Sequence, residues 1–174
     1  EPYLRHISEQ AGDTVFLTIR SGFDSICVDR KIGSYPVKVL SIDVGARRPL
    51  GVGVGGLVLL SFLAEAEAAS IIEANRQRLA QHQLSVGKLA ERMRSTRTRG
   101  YAYTDAGVVR GTKAVAVPVF DADGNPVAAV SIAAIYDRLA AGRVAGVVKL
   151  LTEQAAIISR RMTEISRARH RAAR

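Results

Sequence analysis

The sequence predicts an α+β fold, a largely antiparallel central sheet flanked by helices and completed by a long C-terminal helix. Three observations carry this reading. Two pairs of alternating segments are each joined by a compact turn, Ser21-Gly22-Phe23-Asp24 in the first half and Asp121-Ala122-Asp123-Gly124-Asn125 in the second. Segments of helical periodicity separate the two pairs. Near the C-terminus, Val144, Val148, Leu151, Ala155, Ile158, Met162 and Ile165 recur at steps of four and three, the stripe of an amphipathic helix.

Taken in order, Tyr3–Ala11 places Leu4, Ile7 and Ala11 at helical spacing and stops at Gly12. Thr14–Arg20 and Ser25–Arg30 alternate as the strands of a hairpin, and Lys38–Ile42 reads as a short extended segment. The stretch Pro49–Leu63 then opens with Gly51, Gly53, Gly55 and Gly56 and continues as an apolar helix. Two polar helices follow: Ala66–Gln81, presenting Ala69, Ile72 and Leu79, and Ser85–Ser95, presenting Val86, Leu89 and Met93. Gly100–Tyr103, Thr112–Phe120 and Pro126–Ile135 are strands, the last two joined by the second turn.

At 174 residues the chain has the length of one domain with a real core, and its 48% apolar and 24% charged residues are ordinary for a globular protein. A net charge of +9 makes contact with nucleic acid thinkable, but no aromatic residues interleave with the arginines of the basic tail Arg167–Arg174, which reads as a solvated helix end. The single cysteine, Cys27, excludes a disulfide framework and fits a reducing, cytoplasmic compartment. The apolar run Leu50–Ala64 is too short to span a membrane, so no membrane partner is expected.

No catalytic constellation emerges. Gly51-x-Gly53-x-x-Gly56 matches the dinucleotide fingerprint in letters, yet Arg-Arg-Pro-Leu precedes it where a hydrophobic strand is required. Two readings of these glycines stay open: a tight turn with close helix packing, or a seat for a small anion at a helix N-terminus. Asp121-x-Asp123-x-Asn125 begins like a calcium loop but has Ile132 where a bidentate glutamate belongs. His6, His82 and His170 are scattered, so neither a metal nor a cofactor is expected. Cys27, inside an apolar strand, reads as a packing residue. The late strands are more informative. One face carries Thr112, Ala114, Ala116 and Pro118, and the neighbouring strand offers Val127, Ala129, Ser131, Ala133 and Ile135. Such small faces either let a helix pack closely or leave room for a ligand that Thr112 and Ser131 would orient.

Taken together in order, Gly12-Asp13-Thr14-Val15, Pro49-Leu50-Gly51-Val52-Gly53-Val54-Gly55-Gly56, Arg99-Gly100-Tyr101-Ala102, Gly111-Thr112-Lys113-Ala114-Val115-Ala116-Val117-Pro118-Val119 and Asp123-Gly124-Asn125-Pro126-Val127-Ala128-Ala129-Val130-Ser131 resemble the effector-binding domain of IclR-type transcriptional regulators. The likeness runs from about Tyr3 to Met162. It implies a GAF-like fold enclosing a pocket for a small organic effector, often a carboxylate, in a homodimer or homotetramer. It also implies a regulator rather than an enzyme, with operator DNA bound only through an N-terminal winged helix-turn-helix domain that this chain does not include. Residues 1–12 would then end a linker helix, residues 13–166 form the effector domain, and residues 167–174 the basic tail.

By position, the family's pocket residues fall on Gly53, Val54 and Gly55 in the glycine loop, Thr104 and Asp105 after the Gly-Tyr-Ala strand, and Thr112, Ala114, Ser131 and Ala133 on the late strands. Gly51 and Leu57 stand where histidine and lysine are usual, Ala114 where cysteine is frequent, and Ala133 where a second serine can occur. These changes imply a less polar or larger ligand than a two- or three-carbon acid. A small-molecule-modifying enzyme on a similar scaffold is the rival expectation, and a nucleic-acid-binding domain in its own right is a second.

Overall fold

Helix α1 (Pro2–Ala11) starts on a proline, whose missing N–H is no loss in a first turn, and buries Leu4, Ile7, Ser8 and Ala11 along one side. The computed structural model describes residues 2–104 and 109–172. Strands β1 (Thr14–Ser21) and β2 (Asp24–Lys31) form the first hairpin. An irregular stretch then leads to the three-residue strand β3 (Arg47–Pro49), which pairs with the start of β2 through Ser25 and Arg48. Helices α2 (Gly53–Ser61), α3 (Glu65–Gln81) and α4 (Val86–Arg99) follow. Strands β4 (Ala102–Thr104), β5 (Thr112–Phe120) and β6 (Pro126–Ile135) lead through a 3₁₀ turn at Tyr136–Leu139 into α5 (Ala141–Ala172).

The sheet order is β3-β2-β1-β6-β5-β4, and every neighbouring pair is antiparallel. The N-terminal hairpin and the C-terminal hairpin are thus joined edge to edge by β1 and β6. The β5–β6 connection is held by the Asp121 carboxylate, which accepts from the backbone N–H groups of Asp123 (2.9 Å) and Asn125 (2.8 Å). Those bonds also keep the Asp121 carboxyl below its ordinary range.

Alternation divides the core in two. Val15, Val115, Val117, Val119, Val130 and Ile132 face α1 and α5, where Leu4, Ile7, Val147, Leu151 and Ala155 complete one apolar cluster. Phe16, Cys27, Ala114, Ala116, Ala129 and Ala133 face α2, α3 and α4, whose Leu57–Leu60, Ile71, Leu79, Leu89 and Met93 form the other. The long helix uses its stripe unevenly. Leu151 and Ala155 are buried, whereas Met162 and Ile165 near its far end are exposed.

Two element expectations need correction. Lys38–Ile42 is not a strand: Val39 is buried and Ile42 packs against the same cluster, a spacing of three that alternation cannot produce. The edge of β2 is taken instead by β3 and by Ala46, whose carbonyl accepts from Cys27 N–H at 3.1 Å. In α3 the buried positions are Ala68, Ile71, Asn75 and Leu79, while Ala69 is exposed. The face turns because Asn75 belongs to it, its amide donating to the Phe23 carbonyl at 2.7 Å. A buried amide with its bond made is tolerated there, and polarity disguised it in the sequence.

Candidate functional site

The side of the sheet built from small residues does not close. Between it and α2 lies a cavity of about 650 Å³, within the range of sites that take small organic molecules. Its floor is explained by register. Ala114 pairs with Ala133 and Ala116 with Ser131 across β5 and β6, while Phe16 and Thr18 of β1 pair with Ser131 and Ala129. Directly paired residues share a face. Short side chains therefore cover β5 and β6, with Thr18 continuing the patch onto β1 beside the larger Phe16, and the helices above do not fill the space.

The glycine-led turn forms one wall. Gly51 and Gly53 sit at φ +104° and +70°, a backbone region that other residues enter only with strain, so the chain can turn sharply into α2. Gly55 has a different role. A Cβ added there would stand 2.9 Å from Thr18 Oγ1, and one at Gly56 3.1 Å from Ser25 Oγ. These two glycines let α2 lie directly against β1 and β2, as the close-packing reading expected. The anion-seat reading stays compatible with it, because Val52 precedes the helix without a side-chain cap and the first-turn N–H groups have no intrahelical partner.

Gly53, Val54 and Gly55 from α2, Thr104 from the end of β4, Thr112 and Ala114 from β5, and Ser131 and Ala133 from β6 all line this cavity. Asp105, the remaining expected site residue, lies outside the described residues. The polar groups differ in readiness. Thr112 Oγ1 already donates to the Val109 carbonyl at 2.6 Å. Ser131 is 6% exposed and Thr18 7% exposed, and neither hydroxyl has a hydrogen-bond partner among the described residues. Both residues line the cavity, so these hydroxyls are free to bond to a ligand or water there.

Sequence reasoning missed several lining residues. Phe16 and Thr18 could have been inferred from the alternation of β1 had its pairing with β6 been known. Cys27 packs in the core, as its apolar strand predicts, and also reaches the cavity wall, where burial pushes its thiol above the ordinary value. Arg48, Lys88, Arg92, Arg110 and His82 also line the cavity, and no aspartate or glutamate does so among the described residues. Nothing local in the sequence marked this cationic lining.

An antiparallel sheet with a closed apolar layer on one face and, on the other, a cavity walled by a glycine-led turn is the architecture of an α+β domain with an internal pocket. The sequence profile described as the bacterial transcriptional regulator IclR C-terminal domain matches residues 1–160. The chain belongs to this family of regulators, which sets the enzyme reading aside. The transcriptional repressor IclR of Escherichia coli K12 is 26% identical over 147 residues, 82% of this chain and 53% of that protein. The transcriptional repressor AllR of the same strain is 29% identical over 160 residues, 91% of this chain and 59% of its own length. The chain thus spans little more than half the length of these relatives. Among solved structures, Thermotoga maritima IclR superposes with a TM-score of 0.81 at 25% identity, covering 93% of this chain and 66% of that one.

Proposed function

We propose that this chain is the effector-sensing and oligomerisation domain of a cytoplasmic transcriptional regulator. A small organic molecule, with a carboxylate as its anchoring group, enters the cavity and alters operator binding by a DNA-binding domain elsewhere in the protein. The observation that carries the reading is the cavity itself: about 650 Å³ of space lined by the unpartnered hydroxyls of Ser131 and Thr18 and by the uncapped first turn of α2. Backbone N–H groups at Val54 and Gly55 would receive the carboxylate, Ser131 would orient the remainder, and Ala114 and Ala133 would set its width. The effector would act by favouring one arrangement of a homodimer or homotetramer, so that its binding energy is expressed as a change in operator affinity. The names of two relatives, both transcriptional repressors, support a regulatory role.

The test is a thermal-shift screen of the chain against keto, aromatic and sugar acids, repeated with Ala133→Leu. At a hundred times its Kd an effector adds about 2.7 kcal/mol, roughly 5–11 °C for a domain of this size. Leucine at position 133 would occupy the cavity floor opposite Ala114 while leaving the unliganded transition near its original temperature. An Ala133→Leu chain that responds to the acid as the original does would refute the assignment. Gly55 is the wrong place for such a plug, because any side chain there meets Thr18 before it meets a ligand.

A further inference from the structure

The arginines around the β1–β2–β3 end of the sheet are matched to acids with one exception. Arg20 pairs with Glu67 at 2.6 Å, Arg30 with Asp43 at 3.2 Å, Arg47 with Asp24 at 3.4 Å and Arg78 with Asp24 at 2.7 Å. Arg48 has no carboxylate within ion-pair distance among the described residues; its Nη2 donates to the Ser41 carbonyl at 3.2 Å. Its position on β3 explains the difference. Arg48 pairs with Ser25, which lines the cavity, so Arg48 shares that face while Arg47 points the other way to Asp24. The guanidinium is half-buried, and burial lowers its pKa from the ordinary value. The neighbouring Cys27 thiol, held above its own usual value by burial, supplies no compensating charge.

A partly desolvated cation without an anion is an unfavourable arrangement in an empty domain and a favourable one when an anion arrives. The first turn of α2 already provides one place for negative charge. Arg48 provides a second on the β3 wall, with Lys88 and Arg110 adding positive potential around the cavity. The polar groups missing at Ala114 and Ala133 are thus answered from a different wall. We propose that the cavity recognises a small organic acid carrying two separated anionic groups, one received at the α2 turn and the other by Arg48. This rests on the effector-pocket reading and sharpens it to a ligand class. A monoanion with a neutral tail would desolvate Arg48 without pairing it, so the second anion sets specificity.

The test compares matched pairs of ligands at constant ionic strength by calorimetry on the 174-residue chain: butyrate with succinate, hexanoate with adipate, and glycerate with 3-phosphoglycerate. In at least one pair the dianion should bind about tenfold more tightly or better, the scale of one charged hydrogen bond. Arg48→Gln should remove that advantage while changing monoanion affinity less than about threefold, and Arg48→Lys should keep part of it. The unliganded unfolding transition of each variant shows whether it folds, and Arg48→Lys retains the charge should the glutamine variant fail. An advantage in the dicarboxylate pairs places a carboxylate on Arg48, and one in the phosphorylated pair places a phosphate there; either supports the proposal. Monoanions that bind as tightly as dianions, or a dianion preference that survives in Arg48→Gln, overturn the Arg48 subsite alone. No binding by any acid overturns the effector reading together with it.

Discussion

Replacing Gly55 by alanine separates the packing role of the glycine-led turn from its proposed ligand role. An alanine Cβ would lie 2.9 Å from Thr18 Oγ1 and 3.1 Å from Thr18 Cβ. Ordinary contact begins near 3.4 Å, so α2 and β1 must separate by a few tenths of an ångström. Overpacking of this kind costs about 1–3 kcal/mol, against which alanine regains up to about 1 kcal/mol of helix propensity over glycine. The net expectation is a loss of about 1 kcal/mol, or roughly 2–4 °C in Tm for a domain of this length.

Thr18→Ala supplies the decisive comparison. It removes Oγ1 and Cγ2, the first and third nearest atoms, and leaves only the Thr18 Cβ contact at 3.1 Å. In that background Gly55→Ala should become close to neutral or stabilising, giving a coupling of about 1–2 kcal/mol in a double-mutant cycle measured by urea denaturation. Two results would refute the reasoning: Gly55→Ala stabilising the unaltered chain, or costing the same in both backgrounds. Alanine keeps the backbone N–H at position 55. Any accompanying loss of ligand affinity therefore reports the displacement of α2, not the loss of a donor.

Two further outcomes follow from other groups. Asp13 is nearly fully buried and accepts from Arg138 at 2.8 Å and Arg143 at 2.7 Å, tying the α1–β1 junction to the 3₁₀ turn and to α5. Because both arginine side chains remain a quarter to a third exposed, Asp13→Asn should cost about 3 kcal/mol, the lower end for a broken buried pair; an unchanged urea midpoint would argue against this tie. Burial holds the Cys27 thiol above its ordinary value, so the neutral form dominates to higher pH in the folded chain than in the unfolded one. Its contribution to stability is then complete below the unfolded thiol's pKa and is lost as pH rises through the folded value, and Cys27→Ser should remove that part of the alkaline loss. Cys27 is 3% exposed and lines the cavity, so thiol labelling near pH 8 should be slow and slower still with bound effector; labelling at the rate of a free peptide thiol would contradict both statements.

What was legible in the sequence depended on whether the signal was local. Thr112–Phe120 and Pro126–Ile135 could be bounded as they stand because both strands alternate cleanly around a turn with its own hydrogen-bond logic. The cavity floor was legible for the same reason: small residues on one face of each strand are a local pattern. Strand β3 was not, since Arg47-Arg48-Pro49 carries no periodicity and becomes a strand only by pairing with Asp24, Ser25 and Ile26. Arg48 is visible in the sequence only as half of a basic pair, and the pairing with Ser25 is what brings it to the cavity. Thr18 and Phe16 were legible as strand residues but not as cavity residues, because only their pairing with Ala129 and Ser131 brings them there. The α3 face was misjudged through Asn75, a polar residue in an apolar position, where the bond to Phe23 that makes it acceptable is a tertiary fact.

The same strands build a frame on one side and a receptor on the other, and the division follows from side-chain size at paired positions. On the α5 side Val115 faces Ile132 and Val117 faces Val130, branched residues that fill their layer and are fully or almost fully buried. On the α2 side Ala114 faces Ala133 and Ala116 faces Ser131. Each of those pairs lacks several methyl or methylene groups that would otherwise be buried, at roughly 0.8 kcal/mol per group of lost transfer energy. The domain can leave this volume open because the opposite face is closed and further fixed by Asp13 with Arg138 and Arg143. A ligand entering the small-residue side restores contacts that the sequence leaves unmade, and it does so against α2, which touches β1, β5 and β6 together. Binding energy is thus delivered to the element that spans both hairpins. That is the location from which an occupied cavity could bias the whole sheet, whereas a pocket on β5 and β6 alone would stiffen one hairpin and leave the other unchanged.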